Sequence, residues 1–304
     1  MPSSKLRARR KTARKPPVCI KPKPKPPPPR VSGAPTVPPT PKLTPTYVLA
    51  ATRPHPAPPY PAIFQRNLIY HVYPNLSNPA WAANIAQLRK RWGLFNGRKV
   101  IACVTGPGLL EPKAVRLMFP KGIDLRAYPN DPRLRDTATF LDLLKAVKSL
   151  DPTEATFYGH TKGASPHHWQ SPDICRAVMY WRNAMYHHLL DEWDRVQQAL
   201  LTHPCAGCFL QDYSSAGTDA MTSPTGFHYG SWHYAGTFFW YRHDCLYSNP
   251  RWPFVGDDPF ADEMYLGGLF TADQAWSANE RGPAGDPRLT RLYDADSHKL
   301  RIED

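Results

Sequence analysis

The sequence predicts an α/β domain built on a mostly parallel sheet, preceded by a basic, proline-rich tail. Three observations carry this prediction. Apolar strand-like runs alternate with helical patterns from residue 67 to residue 158. Proline and charge change abruptly near residue 60. The later part has enough apolar and aromatic residues for one substantial core. The expected division is residues 1–60 for the tail and 61–304 for the domain.

The chain has 304 residues and a formal net charge of +13. Residues 1–60 hold 13 Lys and Arg, no Asp or Glu, and 18 of the 36 prolines. The remainder carries 25 basic and 25 acidic residues, so the folded part is neutral. A basic patch for nucleic acid is therefore not expected on the domain. Stretches such as residues 21–29, Lys-Pro alternation followed by prolines, lack amide donors and fix φ. They predict disorder with polyproline II character.

No apolar stretch approaches the roughly 20 residues that span a bilayer. The basic start has no apolar segment after it, which argues against a secretory signal. Its proline density argues against an amphipathic transit peptide. The expected location is cytoplasmic, with peripheral membrane attachment through the tail as an option. The six cysteines are expected to be free thiols of a reducing compartment.

The elements follow in order. Residues 67–73 form a short apolar run ended by Pro74 and predict a buried strand. Trp81, Ile85, Leu88 and Trp92 share one helical face. Asn96-Gly97 is a turn. Residues 98–105 predict a second strand, broken by Gly106-Pro107-Gly108. A helix is expected over 111–118, with Pro112 in its first turn. Residues 123–128 predict a third strand, 137–150 a helix with Phe140, Leu143, Leu144 and Val147 inward, and 154–158 a fourth strand ended by Gly159. Such alternation implies a parallel sheet whose ligands bind beyond the carboxyl ends of its strands.

A single long helix is expected from Ser171 to Leu201, carrying a stripe from Ile174 through Trp181, Met185, Leu189 and Trp193 to Leu200. An aromatic strand pair follows over 227–241, then a short helix over 262–270.

Three motifs carry candidate chemistry. The first is Tyr158-Gly159-His160-Thr161-Lys162-Gly163 at the end of the fourth strand. Its glycines permit close approach, and Lys162 offers a cation with three donors for a phosphate or diphosphate. The plainer alternative is a solvated turn. The second is the run from His228 to Tyr241, with Trp232, His233 and Thr237 among its aromatics. Aromatic faces pack on sugar rings and bases, although a core hairpin would look the same. In the third, residues 256–268, a carboxylate at a helix start is a candidate general base. Asp258 or Asp262 suits capping, and Glu263 is the preferred base. Separately, Cys205 and Cys208 have zinc-ligand spacing, with His203, His243 and Cys245 as candidates to complete a site. Two idle thiols are the alternative.

The strand–helix order, the aromatic strand pair and the acidic helix start together resemble the GT-A fold of nucleotide-sugar glycosyltransferases. The local strings also look like a bacterial and fungal subgroup of presumed glycosyltransferases. They are His160 to Gly163, Trp181-Arg182, His233 to Trp240, and Glu263. The resemblance spans residues 67 to about 270. It implies transfer of a sugar from a nucleotide-diphosphate donor to an acceptor hydroxyl, which would suit cell-surface or polysaccharide synthesis. It implies donor contacts from His71, Tyr73, Asn130, Asp131, His160, Lys162 and Arg182. Acceptor or sugar contacts would come from His228, Trp232, His233 and Thr237, and catalysis from Glu263 with Asp262. That fold usually ends its fourth strand in an aspartate–any–aspartate motif holding a divalent metal. This chain has Gly159-His160-Thr161-Lys162 there, so manganese or magnesium is optional, and Lys162 could neutralise the diphosphate instead. The rival expectation is a non-catalytic nucleotide- or glycan-binding adaptor. In that case the tail would engage nucleic acid or an anionic membrane.

Overall fold

The computed structural model describes residues 56–165, 172–213, 230–279 and 282–283. Residues 1–55 of the expected tail, Ser171 and His228 lie outside them. Four strands run in the predicted alternation: β1 (Gln65–Val72), β2 (Lys99–Thr105), β3 (Asp124–Pro129) and β4 (Glu154–His160). Between them stand α1 (Ala80–Lys90), α2 (Pro112–Leu117) and α3 (Thr137–Val147). α3 stops three residues earlier than the apolar pattern suggests, because Lys148 leaves the helical region (φ −53°, ψ 130°). β1 pairs in parallel with β2 and β4, and β2 with β3.

The second half completes the same sheet. β8 (Phe239–Arg242) runs antiparallel beside β4, and β5 (Cys205–Gly207) runs antiparallel to β8. β9 (Ala275–Ser277) closes the far edge parallel to β5. The seven strands lie in the order β3-β2-β1-β4-β8-β5-β9. A second sheet of three short strands joins β10 (Gly282–Pro283), β6 (Leu210–Asp212) and β7 (Trp232–Tyr234).

Both faces of the large sheet are buried, which is why its strands are apolar runs rather than alternations. One face takes Leu68, Tyr70, Ile101, Cys103, Phe157 and Trp240. Against it pack Ile85 and Leu88 of α1 and Val115 of α2. The other face takes Ile69, Val100, Ala102, Tyr158 and Phe239 against Phe140, Leu143 and Leu144 of α3. The chain packs on this body from Tyr60 onward. Tyr60 is buried beneath the Arg242 guanidinium, and its amide donates to the Leu201 carbonyl at 2.8 Å.

Three expectations need correction. The long helix is not continuous. α4 (Pro172–Tyr186) runs into a π turn over His187–Asp191, and α5 (Trp193–Leu200) starts after a break at Glu192 (φ −90°, ψ 40°). The stripe still reaches the core, since Trp181, Met185, Leu189, Val196 and Leu200 share one cluster. The extra π residue resets the phase between two straight segments.

The aromatic run is not a strand pair. β7 belongs to the small sheet and β8 to the large one, separated by a tight turn at Gly236 and Thr237 with φ of 98° and 63°. Phe238, Phe239 and Trp240 go to alternating faces and are all core.

The zinc reading fails as well. Along β5 successive side chains point to opposite sides of the sheet. Cys205 faces one core and Cys208 lies in the other. Cys103, Cys205, Cys208 and Cys245 are free, buried thiols, and burial raises the pKa of each.

α6 (His243–Ser248) and α7 (Ala261–Met264) complete the regular elements. The predicted helix over 262–270 is shorter: α7 passes into a 3-10 turn at Leu266–Gly268. No helix among the described residues is long and apolar enough to cross a membrane.

Candidate functional site

The carboxyl ends of β1, β3 and β4 open into one cleft of about 640 Å³. Its polar lining includes His71, Asn130, Arg135, Asp136, His160, Thr161, Lys162, Asp262 and Glu263. Tyr73, Thr237 and Phe260 complete its rims.

The turn after β4 is held by amides from the β1–α1 segment. Asn84 donates to the Lys162 carbonyl at 2.9 Å and Asn78 to the Gly163 carbonyl at 3.0 Å. The Thr161 amide donates to the His71 carbonyl at 3.0 Å, and the Tyr73 amide donates to Thr161 Oγ1 at 2.9 Å. Gly163 has φ of 81°, and a Cβ there would sit 2.7 Å from Val178 Cγ1. Glycine is required at this corner on both counts. The turn therefore presents Lys162 from a rigid backbone.

The Lys162 ammonium lies 4.0 Å from the Trp181 ring centroid, a cation–π contact. Burial lowers its pKa, and the nearby carboxylates Glu263, Asp136 and Asp262 oppose that shift. Asp136 is paired with His160 and burial keeps Asp262 from ionising, so Lys162 retains positive charge that an anionic ligand can meet.

His160 and Asp136 form a dyad. Imidazole Nδ1 donates to Asp136 Oδ2. Burial alone would raise the Asp136 pKa, but the contact with His160 holds it below the ordinary carboxylate range. With Nδ1 committed to Asp136, Nε2 is the ring atom left for another partner, and it is buried without a hydrogen-bond partner. Asp136 immediately precedes α3, makes no capping bond and turns to His160 instead. No local pattern in the sequence marked it, because its partner lies on another element.

His71 is buried, with Nδ1 2.9 Å from Thr139 Oγ1. Burial pushes its pKa down to about 4, so it is neutral near pH 7.

The two candidate catalytic carboxylates differ. Asp262 is sealed beneath the cleft floor and accepts from Tyr158 at 2.7 Å and Thr137 at 2.9 Å. Burial, followed by the Asp136 charge, raises its pKa well above the ordinary value. Glu263 is more open. Its Oε1 accepts the Gly236 amide at 2.6 Å and lies 4.0 Å from His233 Nε2. Capping of the segment before α7 falls to Asp258, which accepts the Phe260 amide at 2.9 Å.

Of the predicted residues, His71, Tyr73, Asn130, His160, Lys162, Thr237, Asp262 and Glu263 line the cleft. Asp131 does not. It organises its own loop, accepting the Arg133 amide at 2.9 Å. Arg182 is buried against Asn183 away from the cleft. Trp232 is a core residue whose indole N–H donates to the Phe270 carbonyl at 2.8 Å. His233 stacks on Tyr213 and does not line the cleft, but lies beside Glu263.

Arg135 was also missed. It is held at φ 54°, an uncommon conformation for a side-chain-bearing residue. Its guanidinium lies 5.7 Å from the centroid of the half-exposed Phe260 ring, across the cleft mouth. Only that φ value would have drawn attention to it, and φ is not visible in a sequence.

No family model and no curated protein matches this chain. Among solved structures it is similar to a presumed nucleotide-diphospho-sugar transferase from Desulfovibrio desulfuricans G20. The identity is 12%, over 72% of this chain and 79% of that one, with a TM-score of 0.28. It is also similar to a 4-diphosphocytidyl-2C-methyl-D-erythritol synthase at 10% identity, over 76% of this chain and 99% of that one, with a TM-score of 0.30. Superpositions this loose bear on neither the fold nor the function. The fold stands on its own strand order and register, and the function on the cleft.

Proposed function

We propose that this chain is a glycosyltransferase that moves a sugar from a nucleotide-diphosphate donor to an acceptor hydroxyl. The observation that carries the reading is Lys162. It is a half-buried cation at the carboxyl end of the sheet, in a cleft whose volume falls in the roughly 300–1,000 Å³ range of small-molecule sites. A nucleoside diphosphate gains negative charge as the sugar departs, and a fixed ammonium there stabilises that change. Arg135 at the mouth adds a second cation. Tyr73 and Asn130 supply a ring face and an amide for the base.

Glu263 is the group with a carboxylate open to the cleft. As base it would take the acceptor proton while the acceptor oxygen bonds to the anomeric carbon and the diphosphate leaves. His160 Nε2, oriented by Asp136, would accept a hydroxyl of the donor. The cleft's donors do not fit a divalent cation well. Asp136 is committed to His160, and Asp262 is sealed under Tyr158 and Thr137. The leaving-group charge is therefore assigned to Lys162 and no step to a metal.

The test is a thermal-shift screen with UDP-, GDP-, dTDP- and CMP-linked sugars, with and without manganese. Stabilisation by one of the diphosphate donors, weaker for the CMP-linked sugar and lost in Lys162→Met, is the expected result. No stabilisation by any donor would sink the proposal. Binding without turnover in the presence of candidate acceptors would favour a nucleotide-binding adaptor.

A further inference from the structure

We infer that the π turn between α4 and α5 is a binding site for a divalent transition-metal ion of the zinc or nickel class, with His187, His188 and Glu192 as ligands. The site lies apart from the cleft, and its residues have no part in the chemistry proposed above.

The backbone creates the cluster. In a regular α-helix a residue sits over its i+4 neighbour, and i+5 has turned away. Here the Glu192 amide donates to the His187 carbonyl at 3.1 Å, an i+5 bond that widens the turn. Glu192 thus comes round beneath both histidines. Its Oε1 is 3.6 Å from His187 Nε2, and its Oε2 is 3.0 Å from His188 Nδ1. The two imidazoles are themselves in edge contact, with ring centroids 5.1 Å apart. One donor atom from each of the three residues falls within 4.8 Å of the others, the one such group of His, Cys, Asp or Glu among the described residues.

The spacing fits a tetrahedral ion. Zinc bonds of about 2.0–2.1 Å at tetrahedral angles separate neighbouring ligand atoms by about 3.3 Å. The histidine contacts to the two Glu192 oxygens, at 3.0 and 3.6 Å, lie near that value, and all three donors fall within 4.8 Å, so small side-chain rotations bring one atom of each to a common ion. Two imidazoles and one carboxylate, with water in the fourth position, suit a borderline cation rather than calcium or magnesium.

The surroundings select these three ligands. Asp191 lies 3.6 Å from His187 Nδ1, but Arg91 holds both its oxygens at 2.5 and 2.6 Å. Arg195 also reaches Glu192 at 3.2 Å, yet it is anchored by the Ala278 carbonyl and lies over the Trp276 ring. It can remain on Ala278 while Glu192 turns to an ion. The core beneath is fixed, because Leu189 and Leu190 are buried and the Leu189 carbonyl accepts the Trp240 indole N–H at 2.8 Å. The ligands therefore project from a rigid base.

The test is calorimetric titration of the chelator-stripped full chain with zinc chloride, and separately with nickel chloride. Expected is one tight equivalent, weakened by roughly ten- to a hundred-fold or more in His188→Ala and in Glu192→Gln. Cobalt substitution should give the visible absorption of a tetrahedral site in the parent and not in the variants. Both residues are partly exposed and outside the core clusters, so the variants should stay folded and melt in chelator within a few degrees of the parent. Binding that is unchanged in both variants, or removed by His160→Gln instead, would overturn the assignment. So would the lack of a saturable equivalent.

Discussion

Glu263 and Asp262 are adjacent, yet their surroundings give them different chemistry. Asp262 is enclosed by Tyr158 and Thr137 and resists ionisation, while Glu263 meets the cleft with one oxygen held by the Gly236 amide. Glu263→Gln keeps that acceptor and removes the base. Its expected effect is a loss of about 10²- to 10⁴-fold in the transfer rate with little change in donor affinity. An unchanged rate in a folded variant would remove Glu263 from the mechanism. Two histidines make a separate prediction about acid. Burial holds His71 near about 4 and His243 near about 3, against an unfolded value of about 6.5. Between about pH 6.5 and 4 the unfolded chain binds more protons than the folded one, so stability falls as pH falls through that window. His71 alone should account for up to about 3 kcal/mol. Urea melts at pH 7.5 and pH 5 read this directly. The pH 5 loss should shrink in His71→Gln, and a parent chain equally stable at both values would contradict the assignment.

Short connecting elements carry more of the site than the strands do. The β7–β8 turn needs a left-handed residue at Gly236 (φ 98°), and it delivers the amide that holds Glu263. A Cβ at Gly236 would meet Met185 Sδ at 2.9 Å and Trp181 Cζ2 at 3.0 Å. The methionine end can give way, so strain in φ sets most of the cost. Gly236→Ala should lose about 1–3 kcal/mol of stability and also weaken donor binding. Gly93→Ala is the control, since its Cβ would meet nothing within 4 Å and no left-handed φ is required. It should be neutral or slightly stabilising in the same denaturant melts. Equal effects of the two changes would discount the turn. The helix over 171–201 shows the other side of this scale. Its apolar stripe was legible, but the π turn was not, because an apolar residue recurs every three or four positions on either side of a one-residue phase shift.

At the scale of the whole chain, the net charge and half of the prolines lie in the first sixty residues, and none of the residues that line the cleft comes from them. We expect a chain starting at residue 56 to melt at the full chain's temperature, because Tyr60 and the Pro61 carbonyl already pack on Arg242 and Ile63 already enters the core. Co-sedimentation with anionic liposomes should fall when residues 1–55 are removed. Equal sedimentation of both chains would clear the tail of that role.

The sequence by itself determined the parallel βα succession, because strands buried on both faces must be apolar runs and their helices must be amphipathic. It also marked the ends of β1 and β4 as the place to look, and eight of the proposed residues meet in the cleft there. Only the tertiary structure decided the rest. Asp136 carried no signal of its own in the sequence and became part of the site only when the fold brought it to His160, and Trp232 looked like a ligand platform until it entered the core. Cys205 and Cys208 looked like a zinc pair until the sheet set them on opposite faces. The physical reason is common to all three. Local spacing encodes which face of an element a side chain takes, but its partner lies on another element, and only packing chooses that partner.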